Sequence, residues 1–400
     1  MSALDLARLQ FAVTAGIHWT FVLVTLGMVV WLVTLETRAA LARNPVKREL
    51  LYRMTRFWGL LYVINYAIGI ASGIVMEFQF GTNWSGLSHV AGSVFGAPIA
   101  VETMVAFAFE STFLALWIFG WQKLPRWVHL GLLWAIGASA FASAFLVLVA
   151  NGFMHFPRGY HMTAHGQADL DSVSQLLSNP STIIAFIHIC GAALAAGGVV
   201  ITVVSSFHLF RRTRDEDFFV RSFRSGFIMG FLGLSTAVGS GFPQLDFVKE
   251  IQPGKFDHPG MGAFLGNMIV IGFFGLVIMF FLSPVIIGKL PAKLWWSMPL
   301  FWLALPLPFI AAVLGWLARE IGRQPWAIYG VQRTSDAVSH VGVGTMWASF
   351  AVFTTMLVAL LLTNWWLIGR HATRGPNREI FGITPIPAQR PRVHIGGSNG

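Results

Sequence analysis

The hydrophobic and polar positions of this chain alternate in long blocks rather than with the short period of a soluble helix or strand. Apolar stretches recur along almost the whole length, and short segments rich in charged residues separate them. A helix of about 20 apolar residues crosses a bilayer. The pattern therefore predicts nine transmembrane helices, at residues 11–35, 55–77, 94–119, 128–150, 181–209, 221–241, 262–285, 295–318 and 343–368.

The composition agrees with this pattern. The chain is 55% hydrophobic and only 11% charged, and its mean hydropathy is +0.66, whereas a soluble domain contains about 25% charged residues. We therefore predict an all-α polytopic membrane protein. A single transmembrane domain occupies residues 1–370, and a polar tail rich in Pro, Arg and Gly follows at 371–400.

The distribution of charge predicts the orientation of the helices. The net charge of +10 might suggest a nucleic-acid partner, but 20 of the 27 basic residues fall in the first, third, fifth and seventh loops and in the tail. Basic loops stay on the cytoplasmic side of a membrane. We therefore expect an N-terminus outside, a cytoplasmic C-terminus, no nucleic-acid partner and a multi-pass location in a bacterial or archaeal cell membrane.

Five residues able to ligate a metal or carry a proton lie at one depth in the predicted bundle. With this topology His18, Glu102, His188, Met268 and Glu320 all fall in the outer part of the bilayer. His and Met are the usual axial ligands of a low-spin haem iron, although a single buried Met is more often a packing residue. The shared depth favours a membrane haem protein or an ion-translocating protein.

A second group of polar residues lies deeper. Glu110 follows Glu102 by eight residues, about 12 Å along a helix, and Ser139 and Ser143 share one face of the next span. Carboxylates and hydroxyls at such spacing favour a proton route. The alternative is that the two serines are small residues at a helix contact.

Several long strings resemble a known family. They are LARLQFAVTAGIHWTFVLVTLGM (6–28), GIVMEFQFGTNWS (73–85), FGAPIAVETMVAFAFESTFLALWIFGW (95–121), LVANGFMHFP (148–157) and GWLAREIGRQPWAIYGV (315–331). They are similar to subunit I of cytochrome bd oxidases, and the resemblance runs from about residue 5 to 370.

The resemblance implies roles for the outer residues. His18 would be the axial ligand of one high-spin haem and Glu320 of the other, while His188 and Met268 would hold a low-spin haem b. Glu102 would lie at the oxygen-binding haem as ligand or proton donor. The implied cofactors are a low-spin haem b, a high-spin haem b and haem d or a third haem b.

The resemblance also implies supporting residues. Those that match the family's proton channel are Glu110, Ser139 and Ser143. Those that match residues near the haem propionates are Arg8, Trp316 and Arg323.

The chain departs from the family where quinol binds. The resemblance implies a long external loop between the sixth and seventh spans, but here the loop covers only about residues 241–262. Gln252 and Lys255 match a quinol-binding segment. The expected glutamate and arginine are replaced by Gly260 and Gly266. The quinol site therefore lacks two polar side chains, and the electron donor stays open between quinol and another molecule.

The leading hypothesis is a terminal oxidase that reduces O2 to water, with protons from the cytoplasm. The alternatives are a bd-like oxidase with a non-quinol donor, a haem electron relay or sensor without turnover, and an ion transporter, which would need broken helices at mid-membrane. The resemblance implies a second membrane subunit as partner, with a small single-span subunit as a further candidate.

Overall fold

A computed structural model describes residues 1–102 and 107–384, and most of these residues form long helices. In chain order the helices are α1 (Ala3–Leu41), α2 (Pro45–Asn83), α3 (Ser85–Val101), α4 (Phe107–Phe119), α5 (Arg126–His155), α6 (Val173–Leu177), α7 (Pro180–Phe210), α8 (Glu216–Ile251), α9 (Met261–Leu282), α10 (Leu290–Lys293), α11 (Leu307–Ile321), α12 (Thr334–Ala337) and α13 (Val343–Arg374). Short 3-10 helices lie at Pro253–Asp257, Ser283–Ile286 and Trp295–Ala304. Two antiparallel hairpins pair β1 (Tyr160–Met162) with β2 (Ala168–Leu170), and β3 (Trp326–Ile328) with β4 (Gln332–Arg333).

Local sequence signals explain where the first two helices begin. The Ser2 hydroxyl accepts a hydrogen bond from the Asp5 amide, and the Asp5 carboxylate accepts one from the Ser2 amide, which satisfies two amides that a helix start leaves free. The Asn44 side chain accepts from two amides of α2, and Pro45 occupies the first position of that helix, where a missing N–H costs nothing.

The first helix lies at the centre of the bundle, in contact with α2, α5, α7, α11 and α13. Buried amides connect it to its neighbours. Asn65 of α2 donates to the Phe21 carbonyl at 2.9 Å and to the Thr25 hydroxyl at 3.0 Å. Asn364 of α13 donates to the Asn65 side chain at 3.3 Å. These polar contacts fix the relative position of three helices inside an apolar core.

Helices α7 and α8 approach each other closely because both present glycines. A Cβ atom added at Gly198 would lie 2.3 Å from the Gly230 nitrogen, and one at Gly233 would lie 2.4 Å from the Ala195 nitrogen. Gly27 of α1 meets Ala193 of α7 in the same way. Small residues at a contact let two backbones pack tightly, the usual solution for helices in lipid.

The two hairpins meet at one end of the bundle. The β1–β2 hairpin follows α5, and the β3–β4 hairpin follows α11. The Tyr329 amide, in the turn of the second hairpin, donates to the Met154 carbonyl near the end of α5 at 2.9 Å. Gly86, in α3, packs against the Asp336 carbonyl of α12. This end, which we call the hairpin end, therefore joins α3, α5 and α12.

Eight of the described helices are long and apolar enough to cross a membrane. The predicted third span, 94–119, coincides with α3 and α4, and its residues 103–106 lie outside the described residues. The all-helical architecture of the prediction is confirmed.

One predicted boundary was wrong. Helix α8 continues ten residues past position 241, with Pro243 inside it, so only residues 252–260 connect it to α9. The predicted eighth span, 295–318, agrees with the candidate membrane span Trp295–Ile321, which consists of the 3-10 helix Trp295–Ala304 followed by α11. Its prolines lack the N–H that a continuous α-helix needs.

The chain after α13 returns to the bundle. The Phe381 ring stacks on Trp121 with centroids 6.1 Å apart, and the Gln122 amide donates to the Gly382 carbonyl at 3.1 Å. The remainder of the predicted tail, residues 385–400, lies outside the described residues.

The close approach of α7 and α8 gives a testable prediction. Gly198→Ala should lower the free energy of unfolding by about 1–3 kcal/mol, because its methyl group would overlap backbone atoms of α8. Gly239→Ala is the matched control on α8, since nothing lies within 4 Å of its added methyl group. Thermal unfolding of the purified protein in detergent, followed by tryptophan fluorescence, measures both. Equal stability of the two variants would contradict the packing argument.

Candidate functional site

The two glutamates predicted to carry protons, the buried Glu110 and the half-buried Glu102, lie beside hydroxyl groups of other helices. Glu110, in α4, accepts a hydrogen bond from the Tyr66 hydroxyl of α2. Glu102, which caps α3, accepts one from the Ser143 hydroxyl of α5 at 2.7 Å. Ser139 lies beside Glu110 and donates to the Ile136 carbonyl of its own helix at 3.1 Å. The structure thus brings together all four residues of the predicted ladder.

A third carboxyl group extends this cluster. Glu77, near the end of α2, shares a hydrogen bond with Glu102. A hydrogen bond between two carboxyl groups needs a proton between them, because two carboxylates repel each other. Sequence reasoning passed over Glu77 because it lies at the edge of a predicted span, within the string MEFQF.

His18 is oriented as a metal ligand would be. The Ser72 hydroxyl donates to the Gly69 carbonyl at 2.7 Å, so it must accept from Nδ1–H of His18, which lies 2.8 Å away. The unprotonated nitrogen is then Nε2, which has no hydrogen-bond partner among the described residues. Metal-ligating histidines commonly have their other nitrogen held in this way.

His188 repeats this arrangement on α7. Its Nδ1 faces α8, 3.4 Å from the Ser240 hydroxyl and beside the Ala237 carbonyl. The Ser240 hydroxyl donates to the Thr236 carbonyl at 2.7 Å, so here too Nδ1 is the donor, and Nε2 has no hydrogen-bond partner among the residues that the structure describes. Met268, in α9, lies with its sulfur against Gly315 of α11.

Glu320 ends α11 inside a polar cluster at the hairpin end. Its Oε1 accepts from the Asn151 amide at 2.9 Å and from His155 Nε2 at 3.3 Å, and its Oε2 accepts from Arg323 at 2.5 Å. Arg319 donates in turn to the Asn151 side-chain oxygen at 2.8 Å. A carboxylate has about four lone-pair sites, so these contacts leave Glu320 able to coordinate a metal.

The Glu320 cluster contains more positive than negative charge. Lys255, Arg319 and Arg323 surround the single carboxylate, and the pKa of Lys255 falls to about 7 because of burial and the neighbouring Arg319. The buried Nε and Nη1 groups of Arg323 have no hydrogen-bond partner among the described residues. Unpaired guanidinium groups in a buried site favour an anionic ligand.

The remaining predicted cofactor contacts lie on α1 and α11. Trp316 packs against Phe11 with ring centroids 6.2 Å apart, and Arg8 precedes Phe11 by one turn of α1. Both predicted residues therefore lie where α1 meets α11, and the structure places Arg323 just beyond the end of α11.

The two residues predicted to bind quinol face inward. Gln252 is 1% exposed and donates to the His155 carbonyl at 2.5 Å, and Lys255 is 5% exposed and donates to the Arg319 carbonyl at 2.6 Å. Gly260 has φ +87° at the start of α9, a conformation that a glutamate would adopt only with strain. The connection from α8 to α9 therefore uses its polar groups to hold the Glu320 cluster.

Sequence reasoning also missed a buried cluster on α1, α4 and α5. The carboxylate of Glu36 lies 2.6 Å from His129 Nδ1 and accepts from Trp117 Nε1 at 3.0 Å. His129 Nε2 donates to the Trp117 carbonyl at 2.9 Å. Glu36 lies one residue beyond the predicted first span, so its sequence position suggested a solvated loop.

The residues fit haem as a cofactor. Within the described ranges 1–102 and 107–384, two imidazoles have an Nε2 without a hydrogen-bond partner, Met268 supplies a thioether, and Arg323 offers unpaired donors for a propionate. Nitrogen and sulfur donors of this kind hold haem iron in proteins.

These features first define a class of protein: helical membrane proteins with imidazoles and buried carboxylates inside a multi-span bundle. The chain matches the family model described as Cytochrome bd terminal oxidase subunit I over residues 6–258 and 261–376. It belongs to this family, and it is therefore an oxidoreductase subunit and an integral membrane protein. Members have haem cofactors and act as terminal oxidases in multi-subunit complexes.

Two relatives agree with this family assignment, and one solved structure has the same fold. The chain is 31% identical to cytochrome bd ubiquinol oxidase subunit 1 of Bacillus subtilis (strain 168), over 96% of this chain and 97% of that protein. It is 36% identical to cytochrome bd-II ubiquinol oxidase subunit 1 of Escherichia coli (strain K12), over 63% of this chain and 48% of that protein. The bd oxidase structure from Geobacillus thermodenitrificans has a TM-score of 0.84 at 20% identity, covering 94% of this chain and 99% of that one.

The Glu36 cluster gives a prediction that depends on hydrogen bonding alone. Glu36→Leu should lower the free energy of unfolding by roughly 2–5 kcal/mol, because the imidazole and the indole N–H would both lose a buried partner. Glu36→Gln should cost far less, since its amide can donate to Nδ1 and accept from the indole. Thermal unfolding in detergent compares the two variants. An equal loss in both would show that the charge of Glu36, rather than its hydrogen bonds, stabilises the fold.

Proposed function

We propose that this chain is the haem-binding subunit of a terminal oxidase that reduces O2 to water at a pair of high-spin haems. The observation that supports this most directly is the orientation of His18 and His188, whose Nδ1 atoms are held by neighbouring helices while Nε2 has no hydrogen-bond partner in the described part of the chain. When bound, the haems supply electron transfer and oxygen reduction. The residues of this chain hold them, neutralise their propionates and deliver protons.

In this proposal each ligand has a defined role. His188 and Met268 would hold a low-spin haem b. His18 and Glu320 would hold the two high-spin haems, one a haem b and the other haem d or a third haem b. Arg8, Trp316 and Arg323 would neutralise or contact the propionates. The unpaired donors of Arg323 and the positive charge around Glu320 support this role.

Protons enter from the cytoplasmic side in this proposal, along Glu110, Ser139, Ser143 and Glu102. Oxygen reduction consumes protons as well as electrons, so a site buried in a bundle needs such a path. The contact of Ser143 with Glu102 and the position of Ser139 beside Glu110 support it. The orientation follows from the basic loops: nine spans, an N-terminus outside and a cytoplasmic tail at 371–400.

The partner in this proposal is a second membrane subunit, with a small single-span subunit as a further candidate. The electron donor is the open part of the function. The matched relatives are named ubiquinol oxidases, which supports quinol. The inward-facing Gln252 and Lys255 and the short connection at 252–260 favour a second candidate, a bd-like oxidase with another donor.

The haem assignment is tested by absorption spectroscopy of the reduced, purified complex. Met268→Leu or His188→Ala should remove the low-spin haem b signal and leave a high-spin signal, because each variant lacks one axial ligand. Met279→Leu, eleven residues along the same helix, is the control and should leave the spectrum unchanged. A spectrum without haem bands in the unmodified protein would refute the proposed function, and an intact low-spin signal in both variants would refute the ligand assignment.

The donor is tested by oxygen uptake at a short-chain quinol concentration that would saturate a site with both missing side chains present. We expect low turnover that is insensitive to inhibitors of the usual quinol loop. Each missing charged hydrogen bond costs roughly 1–3 kcal/mol, so the absence of side chains at Gly260 and Gly266 should weaken quinol binding about a hundredfold or more.

A gain-of-function variant sharpens this test. Gly266 is half-buried and has open space around an added Cβ, so Gly266→Arg should raise quinol-dependent oxygen uptake by restoring the charge that the family pattern has there. Gly262→Arg, one turn earlier, is the control. Brisk, inhibitor-sensitive turnover of the unmodified protein would show that a competent quinol site exists without these side chains.

A further inference from the structure

Two tyrosines of α2 lie next to the proposed proton path, although neither was among the residues selected from the sequence. Tyr62 and Tyr66 are 0% and 4% exposed. Their rings stack with centroids 5.4 Å apart and an angle of 28° between the planes. Residues four apart share one face of a helix, so the pair forms a column along the face of α2 that meets α4.

Tyr66 is hydrogen-bonded to the buried carboxylate of Glu110. The Tyr66 hydroxyl donates to Oε2 of Glu110, which is itself only 7% exposed. Oε1 of Glu110 accepts no hydrogen bond from the described residues. Glu110 therefore has a phenol on one oxygen and an open acceptor on the other.

Tyr62 has a hydroxyl without a hydrogen-bond partner among the described residues. The Tyr62 hydroxyl is fully buried and makes no hydrogen bond to the described residues. It lies close enough to Glu110 for the two side chains to interact electrostatically. An unpaired buried hydroxyl is unfavourable unless a water or a mobile proton carrier satisfies it. Tyr62 lies about 6 Å closer than Tyr66 to the start of α2, which is the end that carries the basic loops.

We infer that Tyr62 and Tyr66 form the proton-supplying segment that precedes Glu110. This inference rests on the proposed oxidase function and adds two residues to its proton path. In each transfer the Tyr66 hydroxyl gives its proton to the Glu110 carboxylate and takes one, through a water, from the Tyr62 hydroxyl, which regains a proton from water on the cytoplasmic side. Both phenols are thereby restored, and no tyrosinate accumulates. From Glu110 the proton continues past Ser139 and Ser143 to Glu102.

The alternative role of Tyr66 is a purely structural one, as a fixed donor to a buried carboxylate. Phenylalanine variants separate the two roles, because they keep the stacked rings and remove only the hydroxyls. A structural role predicts a change in stability without a change in the rate of proton delivery. A relay predicts slower oxygen reduction with full haem content.

The experiment measures oxygen uptake by the purified complex in H2O and D2O, with haem content from the absorption spectrum. Tyr66→Phe and Tyr62→Phe should each slow turnover on the order of a hundredfold, the lower end of the range for lost proton transfer, and should increase the solvent isotope effect. Glu110→Gln is the positive reference and should also slow turnover. Tyr52→Phe, on the same helix beside Trp121, is the control and should match the unmodified protein.

Infrared difference spectroscopy gives a second readout that needs no turnover. Tyr66→Phe should shift the carboxyl C=O band of Glu110, identified by its loss in Glu110→Gln, while Tyr62→Phe should leave that band in place. Wild-type rates and isotope effects in both tyrosine variants would overturn the inference and leave the proposed function standing. A complex without haem and without oxygen uptake would overturn the proposed function and the inference together.

Discussion

Every carboxylate inside this bundle must find a partner on another helix, and that requirement determines how the helices are arranged. An unpaired charge or polar group in an apolar interior is costly, and lipid offers no water to satisfy it. Glu36 of α1 is held by α4 and α5, Glu110 of α4 by α2, and Glu102 at the end of α3 by α5 and α2. Each contact fixes which face of a helix points inward.

Two kinds of contact between helices hold the bundle together. Helix α7 meets α1 and α8 through glycines and alanines, so the backbones nearly touch at those positions. Helices α2, α4 and α5 meet through Tyr66, Glu110 and Ser139 instead. Close packing gives one half a rigid frame, whereas the other half contains the titratable groups that a proton path requires.

At the hairpin end, the Glu320 cluster joins the proposed haem site to the segment that resembles a quinol-binding motif. Asn151, His155 and Arg323 hold the carboxylate, while Gln252 and Lys255 attach the α8–α9 connection to the ends of α5 and α11. In this arrangement the segment that resembles a quinol-binding motif stabilises a proposed haem site. If this segment stabilises the haem site, it is not available to bind quinol, so the electron donor of this protein can differ from that of other family members.

The sequence by itself determined the class of protein, since long apolar blocks and rare internal charges can only belong to a multi-span helical bundle. It also selected Glu102, Glu110, Ser139 and Ser143 as candidates, because polar residues inside such spans are rare and costly, and the structure places Ser143 against Glu102 and Ser139 beside Glu110. It could not find Tyr66, Glu77 or the Glu36–His129 pair, since hydropathy and spacing within one helix say nothing about which faces meet. The end of α8 was also misjudged, because the polar residues of 242–251 look like a loop until contacts with the rest of the bundle are known. Tertiary structure decided these points because a buried hydrogen bond depends on two helices at once.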